Sequence, residues 1–474
     1  MRVTKSLRGL RVAGAALLTL GLAWCCASCS PAADRVSCSP AVGRAPSSAG
    51  MSSAARPSTA VATSPEATSG RQLWVSSLRG ADNGVGAVSP DGATVFVSGL
   101  IQGRRVKPHY ETAAYRAATG ARVWASSYQP GGNLYSYPVG LTVSPDGARV
   151  YVTTDFHFIG RGQGVVTFAY DARTGRQLWA SRYRPKDSGA AVSGLAVSPD
   201  GTTLYLADTL GQAHSLFFGV IAYAAATGKQ RWLRYSTGRR GEAASVAVSP
   251  DGKTVYATGS AGSCALTVAY RASGTVKWAA RYKDPYGLAA GSQIVAGPGG
   301  GAVYVAGTAA NKNGHFDVAT FAYRAATGSR MWLDRHYARI TAVAGAPEIA
   351  VTPGGQTVIV TVPLNQGTSY AIAAYNARTG GTRWARLAPY SFGRPSGLVI
   401  NSSGDTMFIG GNRTTAYSVA DGTVHWTTSY NRNSPEGSFL SGIIGLNADG
   451  TRLVATRQTK RGITWSVIIV AYRT

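Results

Sequence analysis

Eleven residues, Ala-Tyr-Asp-Ala-Arg-Thr-Gly-Arg-Gln-Leu-Trp at 169–179, are rewritten along the chain at a near-constant interval. They return as AYRAATGARVW at Ala114–Trp124, AYAAATGKQRW at Ala222–Trp232, AYRAATGSRMW at Ala322–Trp332 and AYNARTGGTRW at Ala374–Trp384. Weaker copies are AYRASGTVKW at Ala269–Trp278 and AYSVADGTVHW at Ala416–Trp426. A second phrase precedes each copy: VSPDG at Val88, Val143, Val197 and Val248, worn to GPGG at Gly297, TPGG at Thr352, NSSG at Asn401 and NADG at Asn447. Repetition at this period dictates an array of like supersecondary units, not one large core.

Each unit reads as four short strands. In the third, SGLAVS (193–198) runs into a turn at 198–201, then TTLYLAD (202–208), a variable segment, GVIAYAA (219–225), a Thr227-Gly228 turn and KQRWLRY (229–235). Pro-Asp-Gly suits a tight turn whose Gly supplies the positive φ, and Thr-Gly serves the same purpose between the third and fourth strands. Near-continuous apolar runs such as VVTFAY (165–170) are what strands covered on both faces look like. Eight of the ten Trp close a unit: Trp74, Trp124, Trp179, Trp232, Trp278, Trp332, Trp384 and Trp426. Each can bury on the order of 150–250 Å² between neighbouring sheets.

Trp74 ends a copy, SGRQLW, that lacks its front half, and the chain stops in VIIVAYRT (467–474), a copy that lacks its back half. Joined, the two spell one phrase. The step from Trp426 across the termini to Trp74 is 53 residues, inside the 42–55 range of the other Trp-to-Trp steps. The expected fold is all-β: an eight-bladed β-propeller of four-stranded antiparallel blades over 70–474, closed by the N-terminal strand completing the C-terminal blade.

The repeated A-x-D-x-x-T-G-x-x-x-W resembles the tryptophan-docking repeat of the pyrroloquinoline-quinone (PQQ) dehydrogenase-like propellers, which have eight blades. The SPDG hairpins are shared more loosely with WD40-like and lactonase-type propellers. In the quinoprotein enzymes of that superfamily the resemblance implies a vicinal Cys pair, a calcium ion with carboxylate and amide ligands, and a catalytic Asp. Here the one adjacent pair, Cys25-Cys26, precedes the repeats. On the repeats, Asp155, Asp208 and Asp317 are the nearest acidic candidates, with no motif around them.

The front of the chain has a different chemistry. Arg2, Lys5, Arg8 and Arg11 precede a short apolar run at 12–24, and residues 1–29 read as an export signal too short for a comfortable membrane span. Cys25, Cys26 and Cys29 follow at once and point to lipoprotein processing, with Cys29 the candidate after Ala27-Ser28 and Cys25 the alternative after Leu22-Ala23-Trp24. Residues 30–69, rich in Ser, Ala and Pro, read as a disordered tether. Cys264 stands alone among the repeats, so no disulfide is expected there, and it reads as a small buried apolar residue.

A net charge of +26, from 47 Lys and Arg against 21 Asp and Glu, attracts polyanions. No run of five basic residues and no nucleic-acid-binding signature occurs, so an anionic cell-envelope polymer or a protein is the expected partner of a monomer. Function is expected on the end of the blades opposite the SPDG and Thr-Gly turns, where segments differ from blade to blade. There 99–112, 154–164, 208–219, 307–317 and 362–369 read as loops. They and the connecting segments carry Arg104, Arg105, His109, His157, Arg161, His214, Arg239, Arg240 and His315 as binding candidates. No G-x-S-x-G, H-E-x-x-H, calcium-loop or C-x-x-C-H motif occurs. The reading is an exported, lipid-anchored binding or scaffold propeller with no catalytic, cofactor or metal residues assigned. The alternative is a quinoprotein- or lactonase-type extracytoplasmic enzyme using PQQ and calcium.

Overall fold

Strands account for nearly all the regular structure, because the sequence alternates Val-, Tyr- and Ala-rich runs with glycine turns. The computed structural model describes residues 69–474 apart from 104–105, 130–136, 159–161, 186–188, 213–214, 237–239, 337–344, 365–368, 389–394, 429–438 and 462–463. The signal segment with Cys25 and Cys29, and the tether up to residue 68, lie outside the described residues. So do Arg104, Arg105, Arg161, His214 and Arg239.

Eight antiparallel sheets of four strands each form an eight-bladed β-propeller. Blade 3 is typical: Gly189–Val197, Thr203–Gln212, Ser215–Ala224 and Gln230–Tyr235 pair in sequence order. The first strand of each blade packs on the first strand of the next, from blade 1 (Ala81–Val88) to blade 8 (Phe439–Leu446) and back to blade 1. In blade 8 the outermost strand is Gln72–Arg79, which pairs antiparallel with Thr464–Arg473. Gly70 N–H donates to Arg473 O at 2.8 Å beside it.

The indoles lock the seams. In seven blades the Trp Nε1–H donates to a backbone carbonyl of the next blade at 2.8–3.1 Å, as in Trp74 to Ala117 and Trp278 to Ala325. The Gly of the next blade's turn lies flat on the indole. Gly120 covers Trp74, Gly328 covers Trp278, and Gly70 covers Trp426 across the closing seam. A Cβ on any of the eight glycines would sit 2.4–2.9 Å from a Trp ring atom. Turn glycine is thus required twice, for its positive φ of 70–88° and for its missing side chain.

Two features depart from the sequence reading. The segments read as loops hold strand at their ends: in blade 3 the second strand runs to Gln212 and the third begins at Ser215 and pairs with it. Likewise 99–112 is strand on both sides of 104–105, and strand takes in 307–310, 316–317, 362–364 and Ser369. A polar residue in an extended hairpin satisfies its backbone as well as in a loop, so polarity alone did not mark a strand end. The outer strand of every blade also carries a bulge just before its Trp. Ala169 faces Trp179 but Tyr170 faces Gln177, which leaves Leu178 over. The same slip occurs in blades 1 and 3 to 8. A bulge twists an exposed edge away from pairing with another chain.

Candidate functional site

The two ends of the ring have different polar chemistry. At the turn end, Ser89 Oγ–H donates to Asp91, and Ser144, Ser198 and Ser249 repeat the contact to Asp146, Asp200 and Asp251. Those hydroxyl donors, helped by backbone amides, hold each of these carboxyls below its ordinary value. A cleft of about 350 Å³ between the turns of blades 1 and 2 is lined by Pro90, Asp91, Pro145, Asp146 and Arg173. It is scaffold: both acids are already committed to their own turns.

At the opposite, mouth end, side-chain oxygens of one blade accept inner-strand amides of the next. Asp155 Oδ1 takes Val192 N–H at 2.7 Å, Gln293 Oε1 takes Ile349 N–H at 2.9 Å, and Glu348 Oε1 takes Gly397 N–H at 3.0 Å. Asp82, buried on blade 1, accepts from Gln102 and Tyr137 at 3.2 Å each and from Gln458 of blade 8. Farther out, Arg335 bridges two buried acids, Asp284 at 3.1 Å and Asp317 at 3.4 Å. Tyr282 O–H also donates to Asp284, and Asn311 to Asp317.

Asp155 and Asp208 are the perturbed pair. Asp208 is fully buried, and neither carboxylate oxygen receives a well-formed hydrogen bond. The residue facing it across the sheet, Val192, gives its amide to Asp155. Burial pushes Asp155 up to about 7 against the pull of that amide. Burial, then the charge of Asp155, pushes Asp208 up to about 7 against the amides of Ala191 and Thr209. Their signal in the sequence is an Asp inside an apolar strand; Asp208 stands where blades 1, 4 and 5 have Gly99, Gly259 and Gly307.

Of the predicted site residues, His109, Arg240 and His315 are described with their side chains, and they sit on different blades. His109 is half-buried on the third strand of blade 1, its Nδ1 2.9 Å from Lys107 O. Arg240 is exposed at a left-handed φ of 63° before the first strand of blade 4. His315 is exposed in the hairpin of blade 5, its backbone N–H held by Asn311. The backbone of His157 lies on Arg149–Phe158, paired with Gln163. Among the described residues no three His, Cys, Asp or Glu come together as a metal-binding group. Cys264 starts the third strand of blade 4 and is half-exposed, not buried as read from the sequence, because the hairpin turns at Gly262-Ser263 beside it.

A family model described as outer membrane protein assembly factor BamB matches residues 58–297, 108–345 and 162–428, in overlapping registers as repeats do. The chain belongs to this family. No match was found among curated proteins. Two quinohemoprotein alcohol dehydrogenases share its fold. The one from Comamonas testosteroni is 14% identical with a TM-score of 0.51, and ADHIIG from Pseudomonas putida HK5 is 15% identical with a TM-score of 0.54. Each alignment covers 85% of this chain and 76% of the enzyme. Saccharomyces cerevisiae Sqt1 aligns at 9% identity and a TM-score of 0.57 over 86% of this chain and all of its own. The chain is therefore a PQQ-dehydrogenase-like propeller, a family that includes both scaffolds and enzymes. Among the described residues the mouth acids do not fit a quinone and calcium site: Asp82, Asp155, Asp284 and Asp317 are spent on blade-to-blade and Arg335 contacts, and Asp208, buried near Asp155, has no third His, Cys, Asp or Glu gathered with that pair.

Proposed function

We propose that this chain is an exported, lipid-anchored binding propeller that holds a protein partner or an anionic ligand of the cell envelope at its mouth end. The observation that carries the reading is the use of mouth-end carboxylate and amide oxygens as structural acceptors between blades, which leaves variable hairpins over a rigid ring. Membership of a family described as an outer membrane assembly factor supports a scaffold role, and the charged, apolar and cysteine-bearing leader supports export and a lipid anchor at Cys29 or Cys25. A second reading, an extracytoplasmic enzyme, draws on Asp155 and Asp208, since acids titrating near neutrality suit proton transfer.

Site-specific photo-cross-linking in the full chain in living cells tests the binding reading. Cross-linkers replacing His109 and His315 at the mouth end are expected to give discrete adducts. Those replacing Arg173 and Lys229 at the turn end are expected to give none. Equal labelling from both ends, or none from either, would contradict it.

A further inference from the structure

The outer turn of each blade, the stretch from Ala-Tyr to the seam Trp, carries two exposed Lys or Arg in every blade but the seventh. In blade 1 these are Arg116 and Arg122. In blade 8, where the two termini share the stretch, they are Arg473 and Arg71. Among the described residues none of these cations is in an ion pair. The same stretches hold two acids, Asp171 in blade 2 and Asp421 in blade 7, each already accepting from a Thr of its own turn. In the inner turns of blades 1 and 8, Asp91 accepts from Ser89 and Asp449 from Thr451. The outer rim of the turn end is a belt of positive charge.

Apolar side chains enter that belt at one place. The bulge of the edge strand leaves one residue over just before the Trp. In blades 3, 4 and 6 this residue is a cation, Arg231, Lys277 or Arg383, as suits a position facing water. In blades 2 and 5 it is Leu178 or Met331, packed partly into the core. In blades 8 and 1, which are neighbours in the ring, it is Leu73 and Val123, 40% and 47% exposed. The chain also enters the ring here. Ser69 Oγ–H donates to Thr474 O at 3.4 Å, next to the Gly70 contact with Arg473, so the segment that carries Cys25 and Cys29 joins the ring at this rim.

We infer that the turn-end rim of blades 8 and 1 seats on an anionic lipid bilayer, with Arg71, Arg473, Arg116 and Arg122 at the lipid phosphates and Leu73 and Val123 at the acyl boundary. Exposed aliphatic side chains set among cations suit a headgroup layer, which offers charge outside and hydrocarbon beneath. A soluble polyanion would meet the cations and leave Leu73 and Val123 in water. The inference rests on the export reading above and adds which end of the ring the membrane meets. The mouth then opens away from the lipid.

An environment-sensitive fluorophore on the full chain tests this, with the five native cysteines replaced by Ser. It is attached through Ala118→Cys in the outer turn of blade 1 or Asn313→Cys in the mouth-end hairpin of blade 5, both exposed positions. The apolar leader is present throughout and brings the chain to any vesicle, so the fluorophore reports which end meets the lipid. On phosphatidylglycerol vesicles its emission is expected to rise at 118 and stay unchanged at 313. On phosphatidylcholine vesicles neither should change. Arg71→Ala/Arg122→Ala should cut the ratio of seated to free rims roughly fivefold for each cation lost, and the rise with it. Arg281→Ala/Lys283→Ala removes the same charge where the blade 4 edge strand ends at the mouth, too far for its loss to be felt through salt, and should keep the rise. The inference is overturned if 118 shows no rise, responds equally to phosphatidylcholine, or is matched by 313. It is overturned too if both double variants lose the rise alike, or if soluble inorganic polyphosphate alone reproduces it, which would assign the rim to a free polyanion. None of these outcomes depends on what the mouth holds, so failure here is distinguishable from failure of the His109 and His315 cross-links.

Discussion

Trp278→Ala is expected to lower the free energy of unfolding by about 3–5 kcal/mol, the range for deleting a large buried aromatic side chain. Trp278 is 8% exposed and lies between Tyr256 and Tyr323, whose ring centres are 5.9 and 6.2 Å away. Its Nε1–H reaches Ala325 O of blade 5 at 2.9 Å. Gly328→Ala attacks the same seam from the other side. The new Cβ would fall 2.5 Å from Trp278 ring atoms at a φ of 73°, so overpacking and left-handed strain together should cost about 2–4 kcal/mol. The double variant separates this account from two unrelated defects. With the indole gone the Cβ has room, and the combined loss should fall short of the sum of the single losses. Denaturant unfolding of the full chain measures all three. Strict additivity would contradict the indole-on-glycine seam.

The stability of the ring is expected to fall as pH rises from about 4 to about 7, and Asp155 and Asp208 are the reason. A carboxyl's ordinary value is 3.8, and burial holds these two near 7 in the fold. Between those values the folded chain keeps protons that the unfolded chain has released, so raising the pH favours unfolding. The contribution is complete below about pH 4 and gone above about pH 7. One such shift is worth roughly 4 kcal/mol across the window, and the two groups are coupled. Tyr110 faces Asp155, and Tyr183 and Tyr223 face Asp208; all three stay neutral over this range because burial raises them further above 10. Asp208→Asn removes one titrating group and gives Asp155 an amide neighbour. Its urea midpoint should exceed that of the wild type at pH 8 and lose that advantage at pH 4. Parallel pH profiles for the two proteins would contradict the assignment.

The blades were legible because their signals are local and repeated. Trp179 ends a phrase that also supplies the glycine turn, and seven further copies of that Trp carry the same instruction. The glycine needed in the turn was read for its φ alone. Its second duty, lying on the indole of the preceding blade, joins positions such as Trp179 and Gly228 that meet only in the folded ring. The mouth was harder to read. Its hairpins are polar and differ between blades, so 154–164 and 208–219 looked like loops when their ends continue the sheet. In the sequence Asp155 and Asp208 are acids without a motif, because what makes them unusual is shared burial across a seam.

The central claim is that this propeller binds without quinone chemistry, and a thermal unfolding series of the full chain with PQQ and calcium tests it most directly. A ligand at a hundred times its dissociation constant stabilises a folded protein by about 2.7 kcal/mol, enough to move the midpoint visibly. The account predicts no saturable rise, because four of the described acids at the mouth already hold Val192, Gln102, Tyr137 and Arg335, and Asp208 with Asp155 gathers no third metal ligand among the described residues. A saturable rise that requires both PQQ and calcium would contradict it and make the chain a quinoprotein.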